Sequence, residues 1–89
     1  MITMYAHFKV QDYAVWRKVF DEGAPLRTRS GCSGQQIFQS QSDPNELTVL
    51  TEWVSIDHAK TYAASDEIKE GSKKSGTISQ PDVMILTKA

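Results

Sequence analysis

Residues 46–54, ELTVLTEWV, decide the fold. Read as a strand, the stretch sends Leu47, Val49 and Trp53 to one face and Leu50 and Val54 to the other. Residues 82–88 repeat the pattern, with Val83 and Ile85 pointing one way and Met84 and Leu86 the other. A sheet with one wet face alternates apolar and polar residues, whereas a run that is apolar on both sides needs cover on both sides. The rest of the chain offers two short helical segments, enough for one face of a small sheet. A second copy of the chain is expected to cover the other.

Working outward, residues 2–10 alternate as a strand, with Ile2, Met4, Ala6, Phe8 and Val10 on one face and Thr3, Tyr5, His7 and Lys9 on the other. Asp12 is suited to cap a helix in which Tyr13, Trp16, Val19 and Phe20 form one apolar stripe. Gly23 and Pro25 interrupt it. They predict a kink at Pro25 and a last turn from Leu26 to about Ser30, closed by Gly31 in a left-handed conformation. Residues 33–41 form a glutamine-rich strand around Ile37 and Phe38, polar enough for a sheet edge. The turn Ser42-Asp43-Pro44-Asn45 joins it to residues 46–54 as a hairpin. Ser55 then caps a second helix whose buried side is Ile56, Ala59, Tyr62 and Ala63. A break at Ala64-Ser65-Asp66 precedes a further turn around Ile68, and residues 71–80 read as a mobile loop. Pro81 opens the last strand. The order is βαββαβ, and right-handed crossovers make it an α+β, ferredoxin-like fold over residues 1–89. Its four-stranded antiparallel sheet carries two helices on one face.

Several function classes are excluded by composition. The 89 residues make one small domain with ten basic and eleven acidic side chains, and no Lys/Arg cluster marks a nucleic-acid surface. The dipeptide Lys73-Lys74 reads as solvated charge. One cysteine, Cys32, rules out an internal disulfide framework. No stretch approaches the roughly 18 apolar residues of a membrane span, and residues 1–10 lack the features of a signal peptide. A cytoplasmic protein with neither membrane nor nucleic-acid partners is expected.

Chemistry-bearing residues are sparse. His7, His58 and Cys32 lack metal-ligand spacing, and Gly31-Cys32-Ser33-Gly34 is too short for a phosphate loop. Cys32 has no nameable base and reads as a small residue beside a turn. His7, beside Tyr5 on the face away from the helices, reads as an interface residue; His58 reads as exposed in a first helical turn. Trp16, Phe20, Trp53 and Tyr62, with Met4 and Phe8, are expected to converge between helices and sheet. Such a stripe is ordinarily core. Yet Tyr62 and the tryptophans carry polar atoms that need partners, and small Ala6, Ala59, Ala63 and Ala64 leave room for a flat ligand.

The element order and several local patterns resemble the dimeric α/β-barrel superfamily, in its antibiotic biosynthesis monooxygenase-like branch. The patterns are Asp12-Tyr13 with Trp16 and Phe20-Asp21, then Asp43-Pro44-Asn45, then Thr51-Glu52-Trp53 leading to Tyr62-Ala63-Ala64-Ser65. The resemblance implies a homodimer in which two sheets face each other with helices outside. It implies a substrate cavity between helices and sheet. Some relatives oxidise aromatic or polyketide-like compounds there with molecular oxygen and no metal or flavin. Others degrade heme, isomerise small molecules or have no known activity. The chain departs from these relatives at named positions. Tyr62 stands where many carry the histidine of a His-x-x-Ser pattern, and Glu67 where a second histidine is frequent. Ala6, Tyr62 and Ser72 replace the Asn, Trp and His of heme-degrading relatives, which disfavours that reaction.

Two readings follow. The first is a cofactor-independent oxygenase whose substrate, once deprotonated, reacts directly with oxygen while the protein binds, orients and stabilises the anion. Trp16, Phe20, Trp53 and Tyr62 are then the substrate-binding residues, with Tyr62 the candidate catalytic group and no cofactor. The second is a non-catalytic dimeric module that binds a small molecule or serves as a scaffold. An open or a filled cavity between helices and sheet separates them.

Overall fold

The computed structural model describes residues 2–89. Strands β1 (Ile2–Lys9), β2 (Cys32–Gln39), β3 (Glu46–Trp53) and β4 (Asp82–Thr87) form one antiparallel sheet in the order β2-β3-β1-β4. The ferredoxin-like arrangement holds, with the polar, glutamine-rich β2 at an edge. Each helical arm, however, is two helices. Helices α1 (Tyr13–Glu22) and α2 (Ala24–Arg29) follow β1, and α3 (Ile56–Ala63) and α4 (Asp66–Lys74) follow β3.

Local chemistry explains the breaks. The Asp12 carboxylate accepts the Ala14 N–H at 2.8 Å and starts α1. Gly23 is the joint, and Pro25 falls in the first turn of α2, where its missing N–H leaves no bond unmade. After α2, Gly31 has φ +100°, and a Cβ there would lie 2.8 Å from the His58 ring, so only glycine fits. The expected loop at 71–80 is instead helical through Lys74. The Ser65 hydroxyl accepts the Ile68 N–H at 3.3 Å. Asp66 and Glu67 then sit in the first turn of α4, and Lys73 and Lys74 in the last. The cap and a charge order that matches the helix dipole offset the poor helix propensity of Gly71 and Ser72.

Register places the apolar residues as the strands require. Met4, Ala6 and Phe8 of β1 pair with Thr51, Val49 and Leu47 of β3 on the helix-covered face, and Met4 and Ala6 pair with Ile85 and Val83 of β4. The core under the helices is split in two. One cluster joins Phe8, Val10, Trp16, Leu47 and Val49; the other joins Met4, Trp53, Ala59 and Tyr62. The buried side of α3 is narrower than expected: Ala59 and Tyr62 are buried, whereas Ile56 and Ala63 are exposed. An eight-residue helix has little more than two turns, and only its 59/62 ridge packs on the sheet.

Among the described residues, no helix covers the opposite face of the sheet. There Tyr5 and Leu50 are half-buried, while Phe38, Met84 and Leu86 are 50%, 52% and 40% exposed. His7 lies on this face with its Nε2 2.8 Å from the Glu46 carboxylate. Among the described residues no helix is long and apolar enough to cross a membrane.

Trp53 anchors the second cluster. It is fully buried, its indole N–H donates to the Thr51 hydroxyl at 2.8 Å, and its ring lies 4.7 Å from that of Tyr62. Trp53→Ala is expected to cost about 3–5 kcal/mol of stability, measured by denaturant unfolding; a near-neutral effect would contradict its placement in the core.

Candidate functional site

Between the two core clusters the helix-covered side opens into a cavity of about 340 Å³. Met4, Ala6 and Phe8 of β1, with Val49 and Thr51 of β3, form its floor. Trp16 and Phe20 of α1 stand on one side, and Tyr62 and Ala63 of α3 on another. Gly71 of α4 and Val83 of β4 border it as well; Val83 is 50% exposed, and a Cβ built at Gly71 meets nothing within 4 Å. An apolar cavity of this size with few polar groups suits a small organic ligand.

The aromatic walls are ordered by mutual packing. Trp16 stacks on Phe20 with centroids 4.8 Å apart and planes at 21°, and it tilts against Phe8 at 5.7 Å. Tyr13 lies 6.0 Å from Trp16 at 29° and the Arg27 guanidinium covers a face of Phe20, so the stacked rings give the cavity a rigid aromatic wall. Tyr62 faces the cavity with Trp53 packed against it. Burial pushes the Tyr62 phenol above its usual pKa, the hydrogen bond and charge of Arg27 pull it down, and Cys32 adds a smaller upward push. The net shift is upward, so at neutral pH Tyr62 is a protonated hydrogen-bond donor and not a resting base.

Of the aromatic residues singled out from the sequence, Trp16, Phe20 and Tyr62 line the cavity, whereas Trp53 supports Tyr62 without reaching the wall. Ala6 and Ala63 line it, and Ala59 is packed in the core beneath α3. His7 lies on the opposite face of the sheet. His58 is exposed, with its Nδ1 2.6 Å from the Ser55 hydroxyl. Cys32 opens β2, and its thiol donates to the Gly34 carbonyl at 3.3 Å. Among the described residues, no three His, Cys, Asp or Glu side chains gather as metal ligands.

Sequence reasoning missed Arg27. It is 4% exposed and lines the same cavity. Its Nε donates to the Gln35 side-chain carbonyl at 3.1 Å, and its guanidinium carbon lies 3.7 Å from the Phe20 ring centroid. Gly23 leaves it room, since a Cβ there would come within 3.1 Å of Nη1. The signal was present: Trp16, Phe20, Gly23 and Arg27 follow at steps of four, three and four, so the arginine continues the apolar stripe across the kink.

Comparison with known proteins agrees with this architecture. No match was found among curated proteins. A solved structure from Bordetella bronchiseptica, proposed to be an antibiotic biosynthesis monooxygenase, superposes with a TM-score of 0.83 at 23% identity, covering 99% of this chain and 96% of that one. SnoaB, a cofactor-independent oxygenase from Streptomyces nogalater, gives a TM-score of 0.81 at 15% identity over 99% of this chain and 92% of its own. A Caulobacter crescentus protein, likewise proposed to be an antibiotic biosynthesis monooxygenase, gives 0.78 at 24% identity, with coverages of 99% and 89%. At these identities the likeness is one of fold. The sequence pattern described as antibiotic biosynthesis monooxygenase matches residues 1–74, and the chain belongs to that family.

Proposed function

We propose that the chain is a cofactor-independent monooxygenase acting on a small, flat aromatic or polyketide-like compound held in the cavity, and that it works as a homodimer. The observation that carries this reading is the open cavity walled by stacked aromatic rings, in a chain of this family and with the fold of SnoaB. A substrate with a methylene flanked by aryl rings or a carbonyl is acidic enough to lose a proton. The carbanion then reduces dioxygen directly. Both methylene C–H bonds break and a carbon–oxygen double bond forms, with one oxygen atom in the ketone and the other in water. The methylene carbon supplies all four electrons and its two hydrogens leave in the water, so no external reductant enters.

The chain's residues bind, orient and polarise. Trp16 and Phe20, held by their own stacking, give the ring system an apolar aromatic wall. The neutral Tyr62 phenol donates to the substrate oxygen on which charge develops, and Trp53 holds Tyr62 in place. Glu67, the one carboxylate on the cavity wall among the described residues, is assigned the proton.

The uncovered face supports the dimer. Phe38, Leu50, Met84 and Leu86, with Tyr5, present apolar surface there, and a second sheet against this face buries it. His7 and Glu46 then form a polar pair at that interface.

Anthrone, a flat ketone with one acidic methylene, is a suitable probe. Oxygen uptake and anthraquinone formation should exceed the protein-free rate without added metal or flavin; a rate equal to the blank contradicts the oxygenase reading. Binding without turnover would favour the non-catalytic module. Gly71→Leu should fill the cavity and abolish turnover while the fold survives, because the exchange favours α4 by up to about 1 kcal/mol and meets open space. Leu50→Asp or Met84→Asp should dissociate the dimer in sedimentation experiments, and a variant that remains a tight dimer refutes the assignment of that face.

A further inference from the structure

We infer that the cavity selects flat aromatic compounds that carry an ionised acid group, and that Arg27 pairs with that group. The inference rests on the reading of the cavity as an aromatic ligand site and adds the ligand's charge. Arg27 is a permanent cation, 4% exposed, on the wall of a largely apolar cavity. Its protein partners leave it unfinished. Nε is satisfied by Gln35, the guanidinium also acts on the Tyr62 phenol, and one of its faces lies over Phe20, but the buried Nη2 has no hydrogen-bond partner. Arg27 makes no ion pair among the described residues. Glu67 shares the cavity wall but is exposed, and it is not paired with Arg27.

A desolvated guanidinium with a free N–H is costly, and nearly all buried polar groups in folded proteins are satisfied. An anionic oxygen brought by the ligand supplies both the missing acceptor and the missing charge, in the charge-assisted geometry that arginine makes best. The same ligand's ring system reaches Trp16 and Phe20, because Phe20 itself packs on the guanidinium. The acid group and the aromatic body are therefore read by adjoining parts of one wall.

Calorimetric titration of the full chain with 2-naphthoate and with its neutral isostere 2-naphthamide tests this. The wild type should bind the acid about tenfold or more tighter than the amide. Arg27→Met should bring that ratio close to one with amide binding retained, and Arg27→Lys, which keeps the charge, should preserve part of it. Circular dichroism verifies that each variant is folded; should Arg27→Met not fold, the wild-type ratio and Arg27→Lys decide. Equal binding of acid and amide by the wild type would overturn the inference and leave the aromatic site standing. A preference for the acid that survives in folded Arg27→Met would also overturn it, since another group would then read the charge. Binding of neither probe would overturn the aromatic site and the inference together.

Discussion

The structure depends on a small sheet whose central strands are apolar on both sides. On one side Leu47, Val49, Thr51 and Trp53 of β3 are nearly or wholly buried beneath four short helices. On the other, Leu50 shares the surface with Tyr5, Phe38, Met84 and Leu86, and among the described residues no helix is left to lay over them. An 89-residue chain has little spare core, so how the two faces are covered governs its stability. The helix-covered face is not filled evenly: its buried residues gather in two clusters, and the gap between them is the cavity. Fold and site thus share one origin in a sheet too large for the side chains that its helices bring.

Much of this could be read from the residues. The first strand announced itself by alternation and the third and fourth by apolar residues on both faces, while capping groups at Asp12 and Ser55 marked helix starts that the structure contains. The kink at Gly23-Ala24-Pro25 and the left-handed Gly31 followed from backbone chemistry alone. The reading failed at α4, where the composition of Gly71-Ser72-Lys73-Lys74 suggested a loop. Local propensity there is outweighed by a cap and a favourable charge order that belong to the whole helix. It was also too generous with α3, because periodicity shows which residues share a face but not how wide a contact a short helix makes.

The site was only half readable for a related reason. Trp16, Phe20 and Tyr62 were marked as aromatic, but whether they fill a space or line one depends on tertiary spacing that no pattern encodes. Trp53 carries the same signal and does the opposite job, spending its indole N–H on Thr51 and backing Tyr62. Arg27 was overlooked because a charged residue past a helix kink is usually solvated. Its burial becomes visible only when the stripe is continued through Gly23, whose missing side chain makes room for the guanidinium. The cavity that results is apolar on most of its surface and holds one buried cation, a combination that favours planar ligands with a localised negative charge.

Native mass spectrometry of the intact protein tests the two-faced sheet most directly. A species at twice the chain mass, stable at low micromolar concentration, is the predicted result, since the surface formed by Tyr5, Phe38, Leu50, Met84 and Leu86 is then buried against its own copy. A monomer under the same conditions would contradict the account, because the second face of the sheet would stand open to water.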